Sequence, residues 1–261
     1  MKLWAAFLAL VTLLGAGSFA QDEPSKPQTL LERAWDLSNI RSSSAPAFQL
    51  KATFTAITRE LSTLEGTYTE TWVSNTQWRR ETVVGASRRL EVAGAAGRWL
   101  VNSGPPLPIE AQRFSSLLEL SPPWWQDFTF QPISDHDVNG VAIRCVVTLP
   151  EDTGERYALC FYKDSGLLMQ TTMPKTIGSH LGDYSCLYTG YQKFWEFLFP
   201  RDLRCLQEGH RKLEAKIVEL SLDPFPDPEL FVQPAGATEL GNEEHPIPRR
   251  RLPESDTRFP F

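Results

Sequence analysis

The sequence predicts a mainly β protein: one antiparallel sheet that curls, with two helices available to close its concave side. Three observations predict this. Residues 47–58 (AFQLKATFTAIT) place Phe48, Leu50, Ala52, Phe54 and Ala56 on one side and Gln49, Lys51, Thr53 and Thr55 on the other, the pattern of a strand with one buried face. Stretches of the same grammar recur along the chain at roughly ten-residue spacing, joined by short turns, which indicates an antiparallel meander rather than βαβ units. Only residues 28–40 and 109–120 carry helical spacing.

Taken in order, residues 1–20 read as a secretory signal: Lys2, an apolar run over 3–14, and small residues ending in Ser18-Phe19-Ala20. The run is shorter than the ~20 residues a bilayer span needs, and no later stretch is apolar enough to span one, so the mature chain is expected to be exported without a transmembrane segment. Residues 21–27 form a polar leader with two prolines. The first helix carries Leu30, Leu31, Ala34 and Leu37 on one stripe. After the opening strand a turn is expected at 62–66, then strands at 67–73, 77–84, 87–93 and 98–102. Dense Thr, Tyr and Trp support the first of these. Three prolines and a glycine in 103–108 interrupt the pattern, and the second helix (Ala111, Phe114, Leu117, Leu118) ends at Pro122-Pro123. Strands resume at 128–133, 141–149, 155–162, 167–173, 183–191, 199–206 and 211–222. Asp164 and Gly166 mark a hairpin turn. Prolines 224, 226 and 228 end the sheet, residues 229–232 make one more apolar anchor, and 238–261 read as a poorly ordered, proline-rich tail. The domain is therefore expected over 28–237. Eight or more strands can enclose a cavity and an internal helix can plug it; the two helices are the available plugs.

Removing residues 1–20 leaves 25 basic against 32 acidic residues, a net charge of −7. So acidic a chain without a long basic stripe has no electrostatic footprint for nucleic acid. All four cysteines lie beyond the signal, in a compartment that permits disulfides. Of the three pairings, spacing favours nearest neighbours: Cys145 and Cys160 are symmetric about the turn at 151–154, and Cys186 and Cys205 about Trp195-Glu196. A four-thiolate zinc site would need a short Cys-x-x-Cys spacing, which is absent.

The order of elements resembles the LolA/LolB-like superfamily of periplasmic half-barrels. The residues carrying it are the leading helix, the strand Phe48 to Ala56, Gly66-x-Tyr68, Trp78-Arg79-Arg80-Glu81, the mid-chain helix, Lys163-Asp164-Ser165-Gly166-Leu167 and Pro200-Arg201. The closing Asp227-Pro228-Glu229-Leu230-Phe231 and Pro234-Ala235-Gly236-Ala237 belong with them. The resemblance implies an incomplete barrel, a strongly curved antiparallel sheet with helices closing a hollow that accepts acyl chains. It implies a non-enzymatic carrier, without cofactor, for a lipid or lipid-modified protein. The receptor role in that superfamily uses a Cys at the signal boundary, which this sequence lacks. A more specific similarity is to exported proteins in which such a domain precedes a TonB-like energy transducer; it implies an envelope protein partner and does not carry the transducer activity over.

No catalytic constellation is found. Asp135-His136-Asp137-Val138-Asn139-Gly140 matches the first half of a calcium loop, but the twelfth position is Val146 instead of Glu, so a polar hairpin turn is expected there. His136, His180, His210 and His245 are far apart, and neither a zinc-hydrolase motif nor Gly-x-Ser-x-Gly occurs. Aromatics are the better signal. Trp35 and Tyr68 accompany the residues expected to line the hollow, namely Phe48, Leu50, Phe54, Trp72, Trp78, Trp99, Trp124 and Trp125. Ordinary core is the competing role for each of them.

Overall fold

The computed structural model describes residues 26–58, 61–120, 128–150, 157–173 and 184–240. Helix α1 (Pro27–Ser38) leads into β1 (Phe48–Ile57), β2 (Thr63–Ser74), β3 (Gln77–Val84), β4 (Ser87–Gly94) and β5 (Gly97–Ser103). Two single-turn helices follow, α2 (Ile109–Gln112) and α3 (Phe114–Leu117). The chain then forms β6 (Phe128–Phe130), β7 (Ser134–Val138), β8 (Val141–Pro150), β9 (Tyr157–Tyr162), β10 (Leu168–Met173) and β11 (Tyr184–Thr189). It ends with β12 (Gln192–Phe194), β13 (Phe197–Phe199), β14 (Asp202–Gln207), β15 (His210–Leu222), a 3-10 turn (Pro228–Phe231) and β16 (Thr238–Leu240). Fourteen strands make one antiparallel sheet in the order β16-β5-β4-β3-β2-β1-β15-β14-β11-β10-β9-β8-β6, with β7 also on β8; β12 and β13 form a separate hairpin. Among the described residues the two ends of the sheet do not pair with each other, so the fold is an incomplete barrel.

Curvature follows from who reaches whom. Strands β3 and β11 are five positions apart in the sheet, about 24 Å if it were flat. Yet Arg80 of β3 contacts Glu119 and Tyr188 of β11 donates to the carbonyl of Leu117, two residues away along the chain. The sheet therefore curls around the segment 109–120. One buried cluster runs along its inner face, joining Leu30, Leu31 and Ala34 of α1 and Phe114, Leu117 and Leu118 to residues from β1 through β15.

Several expectations need correction. Of the turn expected at 62–66, residues 63–66 are strand: they pair with Phe54–Ile57 of β1, and the Phe54 ring covers Gly66. The helix expected over 109–120 breaks at Arg113 into α2 and α3. Ser115 and Ser116 follow the break, and Ser116 Oγ donates at 2.7 Å to the Arg113 carbonyl, which also accepts the Leu117 amide at 3.2 Å. Within 183–206, the apolar run at 192–199 forms its own hairpin and β14 starts only at Asp202. The polar turn expected at 135–140 is strand β7 plus a two-residue turn, Asn139 and Gly140, both with positive φ. Finally, Thr238–Leu240 pair with β5, so the sheet continues three residues past the expected boundary at 237. The expected signal (1–20), leader (21–25 of it) and tail beyond 240 lie outside the described residues.

Both disulfides join the expected partners, Cys145–Cys160 and Cys186–Cys205, each directly opposite across neighbouring strands. They lie on opposite faces. Cys186 and Cys205 belong to the inner cluster, whereas Cys145 and Cys160 have the opposite parity to Val146 and Leu159, which do. Among the described residues no helix is long and apolar enough to cross a membrane.

Candidate functional site

Five of the eight residues expected to line the hollow share the inner face: Phe48, Leu50, Phe54, Trp72 and Trp78. Strand alternation puts them there. Phe48, Leu50 and Phe54 have one parity on β1, and their partners Trp72 on β2 and Trp78 on β3 continue the row. Trp99 does not join them. It is paired with Val92, and both face outward in a separate small cluster with Leu90, against which Val101 and Ala237 pack. Its aromatic character promised a place in the hollow; its parity sends it to the other side. Trp124 and Trp125 lie outside the described residues.

The inner face is covered rather than open. Phe114 is the centre of the cover: its ring stacks on Phe54 at 4.9 Å and meets Tyr68 edge-on at 5.2 Å, and it is fully buried. Phe48 stacks on Trp72 at 5.5 Å and takes the edge of Phe194 from the β12–β13 hairpin at 6.0 Å. Leu117, Leu118 and Leu120 complete the cover. Polar contacts hold it at both sides: Tyr188 Oη donates to the Leu117 carbonyl at 3.1 Å, and Arg41 Nη1 to the Leu118 carbonyl at 3.1 Å.

Beneath the cover lies a charged cluster that the sequence reading missed. Glu70 is buried on β2 between Tyr68 and Trp72 on the same face. Its carboxylate accepts from Arg41 Nε at 2.9 Å and from Arg41 Nη2, from Arg80 Nε at 3.1 Å and from Tyr68 Oη at 3.0 Å. Arg80 sits directly opposite on β3, stacks over Trp78 at 4.5 Å and reaches Glu119 Oε1 at 3.5 Å. Burial alone would push the Glu70 carboxyl up, but the guanidiniums of Arg41 and Arg80 outweigh it and hold it at about 2. Burial would likewise favour neutral guanidines, and Glu70 outweighs this in turn, so both arginines are held charged. The signal was present: in Tyr68-Thr-Glu70-Thr-Trp72 the Glu shares the parity of the aromatics, as Arg80 shares that of Trp78.

The larger cavity described is on the other face. It is an open trough of about 850 Å³ crossing β3 to β11, lined by Thr53, Thr55, Thr67, Arg204, Glu214 and Lys216 among others. A twisted sheet is saddle-shaped, so an outer face can be locally hollow. The partial calcium pattern has other engagements: Asp135 bonds Arg144 at 2.8 Å and Lys163 at 2.7 Å, and Asp137 accepts from the Gly140 amide. Among the described residues no group of three or more His, Cys, Asp or Glu could hold a metal ion.

This geometry, a half-open sheet wrapped on a helical plug, defines the class: the chain has the LolA-like half-barrel fold. Similar solved structures include a domain assigned provisionally to outer-membrane lipoprotein sorting, from Vibrio parahaemolyticus (13% identity, 78% of this chain and 96% of that one, TM-score 0.52). A LolA superfamily protein from Nitrosomonas europaea is similar to the same degree (12% identity, 79% and 97%, TM-score 0.52). So is a DUF1329 family protein from Desulfovibrio piger (11%, 78% and 96%, TM-score 0.50). No protein-family profile and no curated protein matches the chain.

Proposed function

We propose that this is an exported, non-enzymatic carrier or binding protein of the periplasm, whose inner face holds an acyl chain of a lipid or lipid-modified protein once the 109–120 segment moves aside. One observation carries the reading: among the described residues, the part of the apolar inner face beside α1 and the β12–β13 hairpin is covered by two single-turn helices that break at Arg113 and not by one continuous helix. A short, interrupted cover has little internal hydrogen bonding to lose when it leaves. The lining then offers aromatic and aliphatic surface, and each buried methylene of a ligand contributes about 0.8 kcal/mol. Two disulfides suit an oxidising compartment.

The test is native mass spectrometry of protein purified from an envelope fraction, together with quenching of tryptophan fluorescence by brominated fatty acids, since Trp72 and Trp78 line the face. Co-purifying amphiphiles and strong quenching are expected. A protein that carries none and is not quenched refutes the carrier. The outer trough favours a second reading, an envelope interaction module of the kind placed before TonB-like transducers, in which the outer face and the residues beyond 240 bind a protein partner. Crosslinking in intact envelopes, with and without residues 241–261, separates the two: partners lost with that segment favour the module.

A further inference from the structure

We infer that Arg41 and Arg80 form the seat of an anionic head group, so that the ligand is an acidic amphiphile instead of a neutral acyl chain; this rests on the carrier reading above. Stability is a weak reason for placing charges here, although the charges depend on one another once buried. A buried ion triad is often no more stabilising than apolar side chains of the same volume. Leu50, Tyr68, Trp72 and Trp78 surround Glu70 and Arg80 on the face, and the polar neighbours are Thr82 beside Arg80 and Glu91 opposite it, the latter engaged by Arg89 at 2.6 Å. Sites for apolar ligands characteristically carry a few placed polar groups that fix orientation.

The donors show where the head would sit. Glu70 occupies Nε and Nη2 of Arg41 and Nε of Arg80. The outward donors, Nη1 of Arg41 and Nη1 of Arg80, are taken by the Leu118 carbonyl and the Glu119 carboxylate. Both of these acceptors belong to the cover. When it leaves, the two guanidiniums keep Glu70 as their one hydrogen-bonded anion, since Glu91 opposite Arg80 is paired with Arg89, and two guanidinium edges point into the space the cover occupied. A carboxylate or phosphate supplies the missing charge and acceptors, and Arg forks suit both. Each guanidinium also lies over an aromatic ring, Arg41 over Phe48 at 6.0 Å and Arg80 over Trp78 at 4.5 Å, so the apolar lining begins where the head ends. In the closed form Glu119 takes the place of the ligand's anion. Its contact with Arg80 is long, 3.5 Å, and its side chain is partly exposed, so it is a weak competitor.

Delipidated full-length protein is titrated by calorimetry, below micelle formation, with dodecanoate, dodecyl phosphate, monolaurin and inorganic phosphate. The anionic dodecyl compounds are expected to bind about tenfold or more tighter than monolaurin, the fold-change of one charge-assisted hydrogen bond, and inorganic phosphate alone gives no saturable heat. Arg80→Gln brings the ratio toward one. Glu119→Gln, at a partly exposed position, raises affinity for the anionic compounds because the internal competitor is gone. Equal affinity for monolaurin and dodecanoate overturns the head-group seat and leaves the carrier standing. Phosphate binding as tightly as dodecyl phosphate makes it a free-anion site and overturns it too. Failure of every dodecyl compound to bind, and of the octadecyl counterparts that exceed the length needed to displace the cover, overturns both readings.

Discussion

Replacing Glu70 with Gln tests whether the buried cluster is a set of mutually dependent charges. In the folded protein the carboxyl is held at about 2, against an ordinary 4.5. At about 1.4 kcal/mol per pH unit, that displacement corresponds to about 3 kcal/mol of stability. The side chain is fully buried, so solvent screening takes little from it. The independent expectation for removing one partner of a buried ion cluster is about 3–5 kcal/mol, since two guanidiniums are left uncompensated. The sign follows from the direction of the displacement. A carboxyl held below its unfolded value contributes fully above about 4.5, and the contribution is lost as pH falls toward about 2. Urea denaturation of the oxidised protein, followed by tryptophan fluorescence at a series of pH values, measures this directly. The variant should be less stable by about 3–5 kcal/mol at neutral pH, and the gap should close as pH falls through that window. Other acidic groups titrate in both proteins and cancel in the difference. A gap below about 1 kcal/mol at neutral pH, the worth of an exposed pair, or one that is the same at pH 7 and pH 3, refutes the reasoning.

Opening either disulfide by a Cys→Ala pair should lower stability by about 3 kcal/mol, because the separations of 15 and 19 residues are similar; denaturation midpoints under non-reducing conditions check this. Gly66→Ala places a methyl 2.3 Å from the Phe54 ring, and the forced shift should cost about 1–3 kcal/mol in the same assay. Tyr188→Phe removes the bond to the Leu117 carbonyl; about 1 kcal/mol should be lost, with faster amide exchange in residues 114–118 than elsewhere. Trp99→Phe should lower stability without changing fatty-acid quenching, since Trp99 faces outward, whereas Trp72→Phe should weaken the quenching.

The strands were legible because their pattern is local. On β1, alternation of Phe48, Leu50, Ala52, Phe54 and Ala56 against Lys51, Thr53 and Thr55 carries the buried face in itself, and β3 begins and ends where Asn75-Thr76 and Gly85-Ala86 place it. Cysteine pairing was legible for the same reason, since symmetry about a turn fixes register. What escaped depends on relations between distant residues. Trp99 reads as a lining residue until the pairing with Val92 sets its face. Residues 109–120 carry the spacing of one helix, yet the helix breaks at Arg113 while Phe114 and Leu117 pack on the sheet. Glu70 looks like a surface residue until Arg41, 29 positions away, closes on it.

On the carrier reading the cover also bounds the size of the proposed ligand. Displacing it exposes Phe114, Leu117, Leu118 and Leu120, all buried, and each such side chain is worth about 1.5–3 kcal/mol, about 6–12 kcal/mol together. A ligand recovers about 0.8 kcal/mol per methylene it buries, so it must bring about 8–15 methylenes merely to balance the exchange. On the carrier reading a short chain would therefore leave the cover in place, and a long chain, or two, would displace it. Charge adjusts the same balance. Leaving removes the Glu119 and Leu118 contacts from Arg80 and Arg41, a loss an anionic head restores and a neutral one does not. Chain length and head charge then act through one equilibrium: shortening an anionic ligand below about eight methylenes should abolish binding, while neutralising the head of a longer ligand should only weaken it.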